Sequence, residues 1–304
     1  MKACLLLLFA FGSAVLAGDF PTLCADRAAI ERVYHEHRTG AKPAFEQAMP
    51  AALLETLVRA DLKKEAVLER AYGVKITDEM VGAEVQRIDA TTRAPEMLAE
   101  IKAALANDPA RFARTMAQPI VVERTLRARF ENDDALHAQQ RRIAETARAG
   151  LLAMKESGFA TQLAALKERK DGEVQEGVTW ELTPRPATDA PAAPATVASP
   201  TTLKTSGGIY NNEATAQIAQ VLSSPEKAGG EKERKFYFED LPAELQNVLR
   251  AQLRQAGDVS AVIETPGAFQ IYLTKARSAE LLSVAVFTVR KRNYEDWLAE
   301  QPEP

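Results

Sequence analysis

The sequence predicts an α+β protein that is mainly α, with a helical region first and a small α/β region carrying a short antiparallel sheet after it. Three observations carry that reading. Apolar residues recur at helical spacing through most of residues 26–164. Aromatic residues make up only 6% of the 304, while Ala, Leu, Glu and Arg are abundant, a balance that favours helix. Runs rich in β-formers come late, at 236–238, 259–264, 269–273 and 281–289.

The first residues are read as a signal segment, 1–17. Lys2 gives a basic start, the apolar run that follows is too short to span a bilayer, and Val15 and Ala17 suit signal-peptidase cleavage. The mature chain is then expected to begin near Gly18 and to be periplasmic or secreted, with no membrane insertion once the signal is gone. Cys4 leaves with the signal, so Cys24 has no intramolecular disulfide partner. Pro21-Thr22-Leu23 ahead of it lacks the small residues of a lipidation box, which favours a free or buried thiol. The formal charge of −4 becomes −5 when the single Lys2 is removed. A mildly acidic chain without a basic stripe is a poor nucleic-acid binder.

Along the chain, residues 26–38 read as a short amphipathic helix with Ile30, Val33, Tyr34 and His37 on its apolar face. Residues 51–71 read as a long helix directing Leu54, Leu57, Val58 and Leu62 inward, ended by Gly73. Thr77 is placed to cap the next helix, with Asp78 and Glu79 opposing its dipole and Val81, Val85 and Ile88 turned inward. Residues 95–106 repeat the helical period, and Asn107-Asp108-Pro109 closes that helix and opens another, on which Phe112 and Met116 face the core. Pro119 is read as the start of a further helix with Val122, Leu126 and Phe130 on its apolar side. Asn132-Asp133-Asp134 is read as the cap of a long helix to Met154, and Gly158 as the start of a shorter one.

The Pro-, Ala- and Thr-rich stretch 184–206 holds too few bulky apolar residues to offset ordering and is read as a flexible linker, with a second flexible stretch at 223–232. Residues 240–255 read as a helix with Leu241, Leu245, Val248, Leu249 and Leu253 on one side. A Gly-acidic loop, Gly257-Asp258-Val259-Ser260, and two strands around Pro266-Gly267 follow it. The expected divisions are a signal at 1–17, a helical domain at 18–133, two helices at 134–170, a flexible insertion at 171–232, and a helix with strands at 233–298.

That order of helix, Gly-acidic loop and hairpin resembles the C-terminal half of parvulin-type peptidyl-prolyl isomerase domains, where a helix leads to G-E-V-S, a strand and G-Y/F-H-I. Here the last motif is Gly267-Ala268-Phe269-Gln270-Ile271, with one extra residue and Gln270 at the family's histidine. Gly158-Phe159-Ala160-Thr161-Gln162-Leu163-Ala164 is similar to a segment in the first half of the same domain. The stretch Tyr72-Gly73-Val74-Lys75-Ile76-Thr77-Asp78-Glu79-Met80-Val81 resembles a helix junction in the N-terminal domain of SurA-like chaperones. The resemblance implies a pocket lined by Phe238, Leu245, Leu249 and Phe269 with Gln270 beside it. The same residues also fit ordinary core packing, the commoner use of apolar residues at element spacing.

Parvulins carry two histidines on adjacent strands, one of them in an R-H-I-L strand at the domain's start, and this chain has neither. Its histidines are His35, His37 and His137. His137 suits a local hydrogen bond better than catalysis, and His35 and His37 diverge on a helix and cannot share a metal. No catalytic residue, metal site or cofactor is expected. With the first strand missing, residues 282–289 are expected to take its place beside the 259–273 hairpin. The function expected is an exported SurA-like folding factor that binds unfolded or Pro-containing polypeptides. The alternatives are an active parvulin-type isomerase and a non-catalytic envelope or secreted interaction protein that keeps only the scaffold.

Overall fold

The structure is a computed structural model and describes residues 16–185, 202–205, 208–211 and 236–303. Its secondary structure is mainly helical with one mixed sheet. The chain divides into two compact units. One takes the residues up to Arg129 together with Leu298–Pro304, the other Phe130–Trp297.

The first unit is built from α1 (Leu16–Glu36), α2 (Phe45–Ala48), α3 (Ala51–Tyr72), α4 (Asp78–Thr91), α5 (Pro95–Ala104), α6 (Pro109–Phe112) and most of α7 (Gln118–Glu131). Local chemistry sets several of these ends. The Thr77 hydroxyl accepts the Met80 N–H at 3.3 Å and starts α4. Gly73, at φ +65°, ends α3 in the left-handed region and donates to the Glu69 carbonyl at 2.8 Å, while Val74 reaches Leu68. The Asp108 carboxylate caps α6 by accepting from Ala110 and Arg111, with Pro109 at the first helical position. Ile30 and Val33 of α1, Leu98, Ile101 and Leu105 of the α5 segment, and Phe112 form one apolar cluster.

Three expectations need correction here. The helix read over 26–38 begins at Leu16 and ends at Glu36. His37 therefore falls beyond the helical period, is exposed and pairs with Glu100, while His35 is the buried ring, bonded to the Pro43 carbonyl and set edge-on to Phe45. Pro119 does not open a separate helix: 109–131 runs on through a π turn, Ala113–Ala117. A proline has no N–H for the carbonyl four residues back, and its ring crowds it. The chain adapts by widening the turn before it, where the Gln118 N–H reaches back five residues to Ala113.

The second unit holds α8 (Ala138–Ala153), α9 (Gly158–Lys167), β1 (Glu173–Glu181), β4 (Phe236–Tyr237), α10 (Ala243–Gln252), β5 (Ile263–Glu264), β6 (Ala268–Arg277), β7 (Leu281–Arg290) and the start of α11 (Tyr294–Ala299). The backbone pairs Thr202–Thr205 (β2) and Gly208–Asn211 (β3) add a hairpin at the β5 edge, so the order is β3-β2-β5-β6-β7-β1-β4. All neighbours are antiparallel except β1 with β4. Residues 282–289 do pair beside the hairpin, with Phe269 opposite Val289 and Leu273 opposite Ala285.

Both faces of the sheet are covered, which is why β6 and β7 read as nearly unbroken apolar runs. Phe269, Ile271 and Leu273 of β6 and Ala285, Phe287 and Val289 of β7 pack on α8 and α9. Tyr272, Leu282, Val284 and Val286 face the other way, against Phe238 and the leucines 241, 245, 249 and 253 around α10.

Glu173–Glu181, expected inside a flexible insertion, is instead a strand paired along β7. A bulge between Gln175 and Val178 hides it from a period-two reading. Val174 packs on the α8 face, while Val178 and Trp180 pack on the α10 face, because one extra residue turns the side chains over. The strand read over 259–264 is regular only at Ile263–Glu264, with an isolated bridge from Val259 to Leu273. The linker read over 184–206 and the flexible stretch at 223–232 lie outside the described residues, apart from 184, 185 and β2. The signal segment lies outside them up to residue 15.

Candidate functional site

The five residues of the expected pocket are all buried, and they do not meet in one cavity. Phe238, Leu245 and Leu249 belong to the core under α10, while Phe269 lies on the opposite face of the sheet. The ring of Phe269 is covered by cations, with the Arg141 guanidinium 5.0 Å and the Lys291 ammonium 5.3 Å from its centre. Gln270 is 7% exposed, and its Oε1 accepts from the Tyr272 hydroxyl at 3.0 Å. A glutamine so engaged, inside a covered sheet, offers no face to a peptide.

Neither His137 nor the thiol is set up as a reactive group. His137 is 1% exposed, its Nε2 bonds the Phe130 carbonyl at 2.9 Å, and its ring stands edge-on to Phe130. Burial pushes the His137 pKa down and the Lys291 ammonium adds to that, against the pull of the Phe130 carbonyl. Lys291 itself is held down by burial although it donates to Glu264 at 2.7 Å, and Arg141 donates to the same carboxylate at 2.5 Å. Cys24 is a free, half-buried thiol raised by burial and by Glu55, against Arg59. It is a weak nucleophile at neutral pH. Among the described residues no group of three or more His, Cys, Asp or Glu is placed to hold a metal ion.

The open concavity lies elsewhere, in the helical unit. A cleft of about 490 Å³ runs between α1, α3 and the 109–131 helix. The π turn and its proline form one wall through Thr115, Met116, Pro119 and Ile120, faced by Ile30 and Tyr34 of α1. Behind it lies a recess of about 30 Å³ reaching Leu23, Val58, Leu62 and Val122. Arg27, Asp61, Thr115 and Pro119 line both, so they stand at the neck between them.

Charges around the cleft are mostly matched. Arg27 donates to Glu31 at 2.8 Å, Arg114 to Glu65 at 3.1 Å, Arg124 to Glu84 at 2.8 Å and Arg127 to Glu123 at 2.8 Å. Lys64 also pairs with Glu123, at 3.0 Å. Glu84, 2% exposed, additionally accepts from Nε and Nη2 of Arg87. Burial works to raise its carboxyl, but the two arginines outweigh that and hold it below the usual carboxylate range. Asp61 differs, because burial keeps its carboxyl above that range in spite of Arg27 and Lys64. The result is an apolar-walled cleft of near-neutral rim with one poorly matched carboxylate at its neck.

None of the cleft residues was expected as a site. The signal available in the sequence was Pro119 within an otherwise continuous helical run, which marks a local break and, in helices of this kind, often a functional position. Among the described residues no helix is long and apolar enough to cross a membrane. The chain matches no family model, no curated protein and no solved structure.

Proposed function

We propose that the chain is an exported folding factor that holds unfolded segments of other exported polypeptides in the cleft of its helical unit. The observation that carries this reading is the cleft itself. It is large enough for a few side chains, walled by Ile30, Tyr34, Met116 and Ile120, and its arginines already hold carboxylates, so binding need not select one strongly charged partner. The sheet unit then serves as a parvulin-like scaffold without the isomerase's chemistry, in keeping with Gln270 at the family's histidine and buried against Tyr272.

The test adds the chain from Gly18 onward to a protein whose refolding waits on a prolyl step, with aggregation followed in parallel. Suppressed aggregation with an unchanged slow phase is expected, and Ile120→Glu in the cleft wall should abolish the suppression. A faster slow phase would move the assignment to an active isomerase, since that step is otherwise slow.

A second reading, a non-catalytic interaction scaffold, is favoured by one observation. Leu53, Leu152 and Leu281 are the large apolar side chains exposed among the described residues, too few for the broad apolar surface that holding chaperones present. No effect on either refolding or aggregation would select it.

A further inference from the structure

We propose that the neck between the cleft and its inner recess, at Asp61, takes the ammonium group of a lysine side chain carried by a polypeptide segment lying in the cleft. This rests on the polypeptide-binding reading and gives it a specificity. An ionised carboxylate offers about four acceptor sites. The hydrogen bond that reaches Asp61 is from Arg27 Nη1 at 3.3 Å, while the same guanidinium makes its closer bond, 2.8 Å, to Glu31. Lys64, whose charge also acts on Asp61, is engaged 3.0 Å from Glu123. Burial accordingly outweighs these cations and keeps the carboxyl above the usual range, while 26% of the side chain stays open to the cleft.

An ammonium supplies three donors and the missing charge, and a charge-assisted bond of this kind gains strength away from water. The geometry suits the rest of the side chain. Tyr34 and Ile120 wall the cleft outside the neck and can cover an apolar four-carbon stem, while the recess beyond, about 30 Å³, has room for a group the size of a water molecule. The ammonium is a compact point charge on a flexible stem and needs less width at the neck than a planar guanidinium, which is why lysine is assigned rather than arginine.

The experiment titrates the chain from Gly18 onward with the capped peptide Ala-Leu-Lys-Leu-Ala, with its norleucine counterpart and with n-hexylammonium, using calorimetry. The lysine peptide should bind about tenfold to a hundredfold tighter than the norleucine peptide, as one charge-assisted bond gives. Asp61→Asn should erase that difference and leave norleucine binding unchanged. This variant removes a charge whose burial is unfavourable, so its thermal midpoint should not fall.

On the unmutated chain the lysine preference should also fade as the pH is lowered from about 7 to about 4 and the carboxyl takes up its proton. Equal binding of the two peptides, or a lysine preference that survives Asp61→Asn or acid, overturns the proposal. Hexylammonium binding as tightly as the lysine peptide overturns its assignment to a polypeptide. Norleucine binding that Ile120→Glu abolishes, with no lysine preference, would end the lysine site but keep the polypeptide-binding reading. Failure of both peptides would end both.

Discussion

At the scale of single residues, Asp258 shows how much of a loop one carboxylate can organise. It accepts from the backbone N–H groups of Arg254 and Gln255, both at 2.9 Å, and pairs with Lys155 at 3.0 Å. Burial raises its carboxyl, but these donors outweigh it and hold the group below the usual range. Its stabilisation is therefore present above the unfolded pKa near 4 and is lost as pH falls through the folded value. Asp258→Ala should cost about 2–4 kcal/mol in urea unfolding at neutral pH, a loss typical of bonds to a charged group. Asp258→Asn, which keeps one acceptor, should cost less. The Gly-acidic loop was legible in sequence as Gly257-Asp258, because a residue at φ +83° and a short acceptor are what such a turn requires. Gln270 was legible only as a departure from a motif, since its commitment to Tyr272 depends on side-chain direction in a covered sheet.

Elements show where a local reading succeeds and where it slips. The caps at Thr77 and Asp108 and the stop at Gly73 follow from neighbouring residues alone, and each is found as read. β1 was missed because its bulge breaks the alternation that identifies strands, and only pairing with β7 shows that Val174 and Val178 serve opposite faces. Gly177 sits in that bulge at φ +78°. Gly177→Val should destabilise the sheet unit by about 1–3 kcal/mol through backbone strain, measurable as a lower thermal midpoint. In the helical unit, Glu84 joins α4 to α7 through Arg124, with Arg87 of its own helix as a second partner. Glu84→Ala should cost about 1–3 kcal/mol, a loss typical of bonds to a charged group whose partners, Arg87 and Arg124, are half exposed and regain water, read from the denaturant midpoint. The π turn before Pro119 belongs to this scale too: the proline is visible in sequence, but the choice of a widened turn over a break is made by the helices packed around it.

For the molecule as a whole, the buried imidazole of His137 gives stability a pH dependence in the physiological range. Above the unfolded value near 6.5 both states are neutral and nothing is lost. Below it, the unfolded chain binds a proton that the folded ring resists, chiefly because of burial, so stability falls until the pH passes the lowered folded value. Unfolding midpoints measured between about pH 7.5 and 5.5 should decline with acid, and His137→Gln should flatten that decline. The sequence by itself determined the helical majority, the late strands and the capped ends, because periodicity, propensity and capping act within a few residues. Tertiary structure decided which of two possible uses the apolar residues served: Phe238, Leu245, Leu249 and Phe269 became core on two faces of one sheet. It also drew the cleft from α1, α3 and the 109–131 helix, far apart in the chain, since a cavity and an under-matched Asp61 exist only once distant segments have taken their neighbours out of water.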